Sequence, residues 1–142
     1  MSKRERYSVG EMTLGKLFGL YINIFDEFGL HLLNETDQMI EYYVFEETDV
    51  NIGFCSSRIL NKFLEEGIIN EDIFENSSLF LEKFRKLEGT MQIRNAESIR
   101  NSFEWKEMME LSDCIREMIK AKWTAEELNA ILNSEQFIDL SF

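Results

Sequence analysis

The fold is decided by the stretch TLGKLFGLYINIFDEFG, residues 13–29. Thr13 is a good N-cap, because its hydroxyl can accept a hydrogen bond from a free amide of the first helical turn. Apolar side chains then repeat every three or four residues, the spacing of one helical face, at Leu14, Leu17, Phe18, Tyr21, Phe25 and Phe28. The other faces also carry apolar residues, namely Leu20, Ile22 and Ile24. The stretch predicts a first helix that stops near Gly29 and is covered by other helices on most sides.

The absence of proline extends this prediction to the whole chain. None of the 142 residues is proline, although an average usage of about 5% would give roughly seven. Proline breaks helix interiors, because it lacks the amide hydrogen and clashes with the preceding turn. A hydrophobic share of 44% and twelve phenylalanines supply a core. We therefore predict an all-α fold, a single-domain bundle of five to seven helices over residues 1–142, with residues 1–10 as a flexible tail.

Caps and apolar spacing place the other helices. They predict helices over residues 36–47, 51–67, 70–88 and 101–122, and a last one that opens at Thr124. Thr124 and Glu127 have the spacing of a capping box, and Gly67 is a natural residue to follow a helix. The run EYYVF, residues 41–45, also suits a strand, and residues 90–94 could pair as a short strand.

Acidic side chains are concentrated in one segment. Residues 34–75 carry eleven carboxylates and only two basic side chains, so they account for −9 of the formal net charge of −12. Such a field repels nucleic acid and anionic membranes, and it attracts a basic protein surface. We therefore predict a protein partner, with no nucleic acid and no membrane bound.

Aromatic residues are interleaved with these acids, which is typical of an interface with apolar anchors and a polar rim. The predicted partner-binding residues are Tyr42, Tyr43, Glu46, Glu47, Asp49, Phe54, Glu65, Glu66, Glu71, Asp72 and Glu75. The alternative interpretation is a solvated acidic face that keeps the protein soluble.

Few residues of the sequence suit catalysis or metal binding. His31 is the only histidine, whereas a nucleophilic triad needs a base and a zinc site usually needs several histidine or cysteine ligands. A core or capping role is expected for it. The sequence also lacks the glycine-rich phosphate loops. We predict no catalytic residue, no metal ligand and no cofactor.

One carboxylate ladder is the remaining candidate for chemistry. Glu107, Glu110 and Asp113 follow each other at steps of three, and Asp72 and Glu75 repeat that step on another helix. The pattern faintly resembles the acidic helices of all-α nucleotide pyrophosphohydrolases, which would hold Mg²⁺. Steps of three drift around a helix, however, so the acids do not stay on one face.

Cysteine usage and the N-terminus indicate a cytoplasmic protein. Cys55 and Cys114 are too few for a disulfide framework, and we expect two reduced core thiols. Glu5 and Glu11 interrupt the basic N-terminus, and no small-residue cleavage site follows, so no signal peptide is predicted. The apolar run at residues 14–33 contains charged residues and is read as a buried helix.

One segment resembles a known family. Residues 100–115 read RNSFEWKEMMELSDCI and combine Asn-Ser, a Glu-Trp pair, a leucine and an aspartate on one predicted helix. The pattern resembles one found in bacterial immunity proteins of contact-dependent growth inhibition and related polymorphic toxin systems. The resemblance covers about Phe84 to Thr124. Many family members have proline after Asn-Ser, where this chain has Phe103.

The resemblance implies a protein without catalysis that binds and neutralises a cognate toxin domain. Such domains are often nucleases with basic clefts, which an acidic protein can block. We therefore expect the acidic residues to form the interface, with Trp105 as a core aromatic and Asp113 as an ion-pair partner. The alternative is a regulatory or adaptor protein that binds a host factor. A Mg²⁺-dependent pyrophosphohydrolase is the third hypothesis.

Overall fold

The computed structural model of the chain describes residues 12–138, which are helical apart from short connections. The α-helices are α1 (Leu14–Glu27), α2 (Asp37–Tyr42), α3 (Asp49–Asn51), α4 (Ser57–Glu65), α5 (Glu71–Thr90), α6 (Ala96–Arg100), α7 (Phe103–Lys122) and α8 (Ala125–Leu132). Two 3₁₀ helices, Leu30–Asn34 and Ile52–Cys55, and a π-helix, Tyr43–Thr48, lie between them. Without α3, which is a single turn, the described residues contain seven α-helices. This confirms the predicted all-α bundle of five to seven helices. The predicted tail at residues 1–10 lies outside them.

The first helix occupies the centre, as its sequence predicts. Thr13 caps it by accepting a hydrogen bond from the Lys16 amide at 3.2 Å. α1 contacts α7, α8, the π-helix and the second 3₁₀ helix. Among the described residues six phenylalanines are fully buried and form the core, two of them on α1 itself: Phe18, Phe25, Phe28, Phe63, Phe80 and Phe84. Burying each contributes about 1.5–3 kcal/mol, so this aromatic cluster contributes strongly to stability.

The chain after α8 crosses α1 at Gly15. The Leu14 amide donates to the Gln136 carbonyl oxygen at 2.7 Å, and the Gly15 amide donates to that of Ser134 at 3.2 Å. A β-carbon at residue 15 would collide with the carbonyl oxygens of Leu132 and Ser134. Glycine therefore permits this close approach, which joins the two ends of the described chain.

Several predicted boundaries are wrong. The helix predicted over residues 51–67 is broken at Ser56, whose ψ of 152° is extended. The break separates the second 3₁₀ helix from α4, and Cys55 before it and Ile59 after it are both buried. Residues 41–45 are helical, because Ile40 and Val44 lie one turn apart and are both buried. Gly67 does follow α4, with the left-handed φ of 75° expected of a glycine there.

The link between α5 and α7 also differs from the prediction. The structure has no strand at residues 90–94, but a short helix, α6, follows them. Asn95 caps α6 by accepting from the Ser98 amide at 2.9 Å, and the Glu41 carboxylate accepts from the Ala96 amide at 2.9 Å. Contacts with α2 thus stabilise a helix too short to be stable alone. Among the described residues, no helix is both long and apolar enough to cross a bilayer.

Candidate functional site

The most unusual backbone of the described chain is the π-helix Tyr43–Thr48, which continues α2. π-Helices are rare and occur frequently at functional sites. Val44 and Thr48 point to the interior and are buried, whereas Glu46 is exposed and Tyr43 and Glu47 are half-buried. The Thr48 hydroxyl is buried without a hydrogen-bond partner. The widened turn therefore presents acidic and aromatic side chains outward, and it leaves one buried polar group unsatisfied.

Two tyrosines and a glutamate form an ordered group on this surface. The Tyr42 hydroxyl donates to Oε1 of Glu47 at 2.5 Å, and the rings of Tyr42 and Tyr43 meet edge to face with centroids 5.3 Å apart. The hydrogen bond to Glu47 is the largest cause that raises the pKa of Tyr42, to about 12. At neutral pH the phenol is protonated, as an ordinary tyrosine is, and it donates this hydrogen bond to the carboxylate.

Glu27 at the end of α1 completes the group. Burial raises the pKa of Glu27, and the negative charge of Glu47 raises it further. A hydrogen bond from Asn23 acts in the opposite direction, and Asp26 adds a smaller increase. We call Tyr42, Tyr43, Glu46, Glu47 and Glu27 the acidic corner. Sequence reasoning missed Glu27, because only the packing of α1 against the π-helix brings it beside Glu47.

Five of the predicted residues form a separate group, Glu65, Glu66, Glu71, Asp72 and Glu75. All are exposed, at the end of α4 and the start of α5. Glu71 and Asp72 lie in the first turn of α5, where the helix dipole favours acids. Glu66 accepts a hydrogen bond from the Gln136 side chain at 2.9 Å. The residues of this second acidic group thus help to stabilise helix ends. None of the predicted tyrosines or phenylalanines belongs to this group.

Asp49 belongs to neither group. Its carboxylate lies 3.6 Å from a guanidinium nitrogen of Arg85, and it interacts with the carboxyl group of Glu88. Burial raises the pKa of Glu88 and Asp49 raises it further, whereas Arg94, 2.9 Å away, lowers it. The Arg94 guanidinium also lies over the ring of Phe45. Asp49 is therefore engaged within the protein, where it ties α3 to the C-terminal half of α5.

The predicted interface residues do not form one surface. Along α5, Arg85 is about 20 Å from Asp72 at 1.5 Å per residue, so Asp49 lies far from the second acidic group. Phe54 is half-buried and packs against the core. The structure brings Tyr42, Tyr43, Glu46 and Glu47 together at the corner, and it leaves the five exposed acids at the end of α4 and the start of α5 as a separate group.

The residues that carry the family resemblance hold the fold together. Trp105 is buried and packs edge to face on Phe84, with centroids 5.4 Å apart. Ser102 caps α7 by accepting from the Trp105 amide at 3.2 Å. These contacts place Trp105 in the core, as expected.

Asp113 and its neighbours on α7 bind the end of α1. The Asp113 carboxylate accepts from the Leu30 amide at 3.2 Å and from Arg116 at 2.9 Å. Arg116 also donates to the Phe25 carbonyl oxygen at 3.3 Å, and the Ser112 hydroxyl donates to that of Phe28. Because Asp113 is engaged in this way, the carboxylate ladder of α7 lacks a free third member.

The structure offers little for metal or thiol chemistry. In the described chain, no three or more His, Cys, Asp or Glu side chains are grouped to hold a metal ion. His31 is exposed, so a core position is wrong for it. Cys55 is buried, and burial raises the pKa of its thiol well above the ordinary value. Cys114 is exposed, which contradicts the prediction of two core thiols.

Comparisons with models of known protein families, with curated proteins and with solved structures find no match. The resemblance to immunity proteins therefore depends on the pattern in residues 84–124 alone, and the functional argument depends on geometry and charge.

Proposed function

We propose that this chain is an immunity protein that binds and neutralises a toxin domain with a basic cleft, such as a nuclease, through the acidic corner. The observation that carries the proposal is the clustering of three carboxylates and two tyrosines at the π-helix, with Tyr43, Glu46 and Glu47 on it, Tyr42 just before it and Glu27 on α1. Burial is the largest cause of the raised pKa of Glu27, and repulsion from the negative charge of Glu47 raises it further in the free protein. A cationic partner side chain would relieve that repulsion, so the corner is suited to bind one.

The tyrosines favour the corner over the second acidic group. Tyrosine is enriched among the residues that dominate binding energy, because it buries a large area and loses little side-chain entropy. Tyr42 and Tyr43 are already held by their contact and by the bond to Glu47. Side chains fixed before binding reduce the entropic cost of association. The corner thus has both an anchor and a fixed negative charge.

The net charge of the chain suits a rapid inhibitor. A formal charge of −12 creates a long-range field that steers a basic partner toward an acidic surface. The same field disfavours direct binding to nucleic acid, so the protein would compete for the nuclease and not for its substrate. We place it in the cytoplasm, where the exposed thiol of Cys114 would stay reduced.

The experiment that tests this function begins with capture of the partner. Tagged protein is used as bait in its native cells at low and moderate salt, and bound proteins are identified by mass spectrometry. We expect a stoichiometric basic partner whose nuclease activity the wild-type protein suppresses. A host factor without toxic activity would instead support the regulatory or adaptor hypothesis.

A matched pair of variants then tests the corner. The variant Glu46→Lys with Tyr42→Ala should fail to suppress the toxin. The control Glu126→Lys changes the same charge at an exposed position of α8 and should suppress it fully. Full suppression by the corner variant would contradict the proposed interface.

A further inference from the structure

A groove of about 410 Å³ lies between α5 and α7. Its floor is apolar and comes from both helices, with Leu79 and Leu87 from α5 and Met108 and Leu111 from α7. None of the residues of the acidic corner lines it. The groove is therefore a second surface, which a partner at the corner would leave open.

Exposed apolar side chains surround this groove. Leu79 is 38% exposed, and Phe103, which precedes the groove residue Glu104, is 68% exposed. A smaller depression of about 290 Å³ shares Leu87 with the groove and extends to Ile93, which is 62% exposed. Neighbouring exposed apolar residues with a charged rim are typical of a protein interaction site.

The two sides of the groove carry opposite charges. Lys83 and Lys86 lie on the α5 side, and Glu104 and Glu107 lie on the α7 side. Within the described residues, none of these four side chains forms an ion pair. The rim has two positive and two negative charges, so it lacks the excess negative charge of residues 34–75. Two highly acidic molecules can therefore approach each other here with less repulsion than elsewhere.

We propose that a second copy of this chain binds at this groove and forms a symmetric dimer. A two-fold axis parallel to the helices would place α5 of one copy over α7 of the other, as in a four-helix bundle. Lysines and glutamates line the same groove, so the axis brings the lysines of each copy opposite the glutamates of its partner. The two-fold symmetry gives two such sets of opposite charges, and the apolar floors of the two grooves meet between them. A second copy thus matches both the charge pattern and the apolar surface.

The test is sedimentation velocity of the full chain over a wide range of concentration. The wild-type protein should show a reversible monomer–dimer equilibrium. Lys83→Glu with Lys86→Glu should weaken it by about tenfold or more, because glutamates would then face glutamates. Glu104→Lys with Glu107→Lys should do the same. Lys120→Glu, on an exposed part of α7 outside the groove, is the matched control and should leave the equilibrium unchanged.

A mixture of the two double variants gives the sharpest result. Each reversed α5 would then face a reversed α7, so an equimolar mixture should form a heterodimer although neither variant associates with itself. Phe103→Ser, at an exposed site, should weaken association without loss of helicity. A monomeric wild-type protein would overturn the proposal, and so would folded double variants whose mixture stays monomeric.

Discussion

The contact between Asp113 and the end of α1 allows a prediction whose size follows from the structure. Asp113 and Arg116 form an ion pair at 2.9 Å, and each side chain is only 25% exposed. Asp113 also accepts from the Leu30 amide. Truncation by Asp113→Ala would remove the ion pair with Arg116 and the hydrogen bond from Leu30. Arg116 would keep only its hydrogen bond to the Phe25 carbonyl oxygen, and the buried Nε of Arg116 already lacks a partner.

The expected loss of unfolding free energy lies between the losses that follow from breaking an exposed ion pair and a buried one. Breaking an exposed pair costs about 0–1 kcal/mol, whereas removing one partner of a fully buried pair costs about 3–5 kcal/mol. A hydrogen bond to a charged group adds about 1.5–3 kcal/mol. For this half-buried site we expect the free energy of unfolding to fall by about 2–4 kcal/mol. Domains are typically stable by about 5–15 kcal/mol, so the variant should still fold at 25 °C.

The same helix supplies the control. Glu117 and Lys120 form a pair with the same spacing, but their nitrogen and oxygen lie 3.8 Å apart and the side chains are 69% and 62% exposed. Glu117→Ala should therefore change the free energy of unfolding by less than about 0.5 kcal/mol. Urea unfolding followed by circular dichroism measures both variants. Equal effects of the two substitutions, or no effect of Asp113→Ala, would refute the assigned role of Asp113.

Three further predictions concern glycine, pH and the interface. Gly15→Ala should destabilise the protein by about 1–2 kcal/mol, because the added β-carbon would meet two backbone carbonyls. Gly19→Ala should stabilise it by up to about 1 kcal/mol, because a β-carbon there has only a Leu132 methyl group 3.6 Å away. Thermal unfolding of both variants checks this prediction, and equal effects would contradict it. Because the folded-state pKa of Glu27 is raised, its ionisation opposes folding above that pKa. Glu27→Gln should therefore raise the melting temperature at neutral pH, and this gain should disappear at acid pH. A gain that does not depend on pH would contradict the raised pKa of Glu27. A basic partner would lower the pKa of Glu27, so binding should release protons at a pH where Glu27 titrates and should weaken as the pH falls through that range. Calorimetry in buffers of different ionisation enthalpy, repeated over a series of acid to neutral pH values, measures the release. Binding without proton release at every pH of the series would count against the corner.

The parts of the fold that were predictable have local causes. Thr13, Asn70 and Thr124 cap their helices with their own side chains, and Gly67 has the positive φ that glycine adopts most easily. Such signals depend on a few neighbouring residues, so a single sequence contains them. The apolar spacing of residues 14–28 likewise identifies the central helix.

The parts that were missed depend on contacts between distant residues. The apolar residues Ile52, Cys55, Ile59 and Phe63 keep helical spacing across Ser56, so spacing gives no sign of the break there, and no local pattern marks the π-helix. The five-residue α6 needs the carboxylate of Glu41, 55 positions away.

The candidate site was predicted in part for the same reason. Tyr42, Tyr43, Glu46 and Glu47 are close in sequence and stay together in space. Asp49 is only two residues further, but it turns toward Arg85 on α5. Charge density along the sequence therefore overestimates the extent of one surface, and it omits Glu27, which arrives from another helix.

The affinity of the protein for the captured toxin domain shows whether the acidic corner binds a basic partner. We would compare the wild-type protein, the variant Glu46→Lys with Glu47→Lys, and the control Glu126→Lys with Glu135→Lys, which changes the same charge at exposed positions. We expect the corner variant to lose about tenfold or more in affinity, mostly through faster dissociation, while the control stays within a small factor of wild type. Equal losses in both variants would mean that net charge alone drives binding, and an unchanged corner variant would contradict the claim.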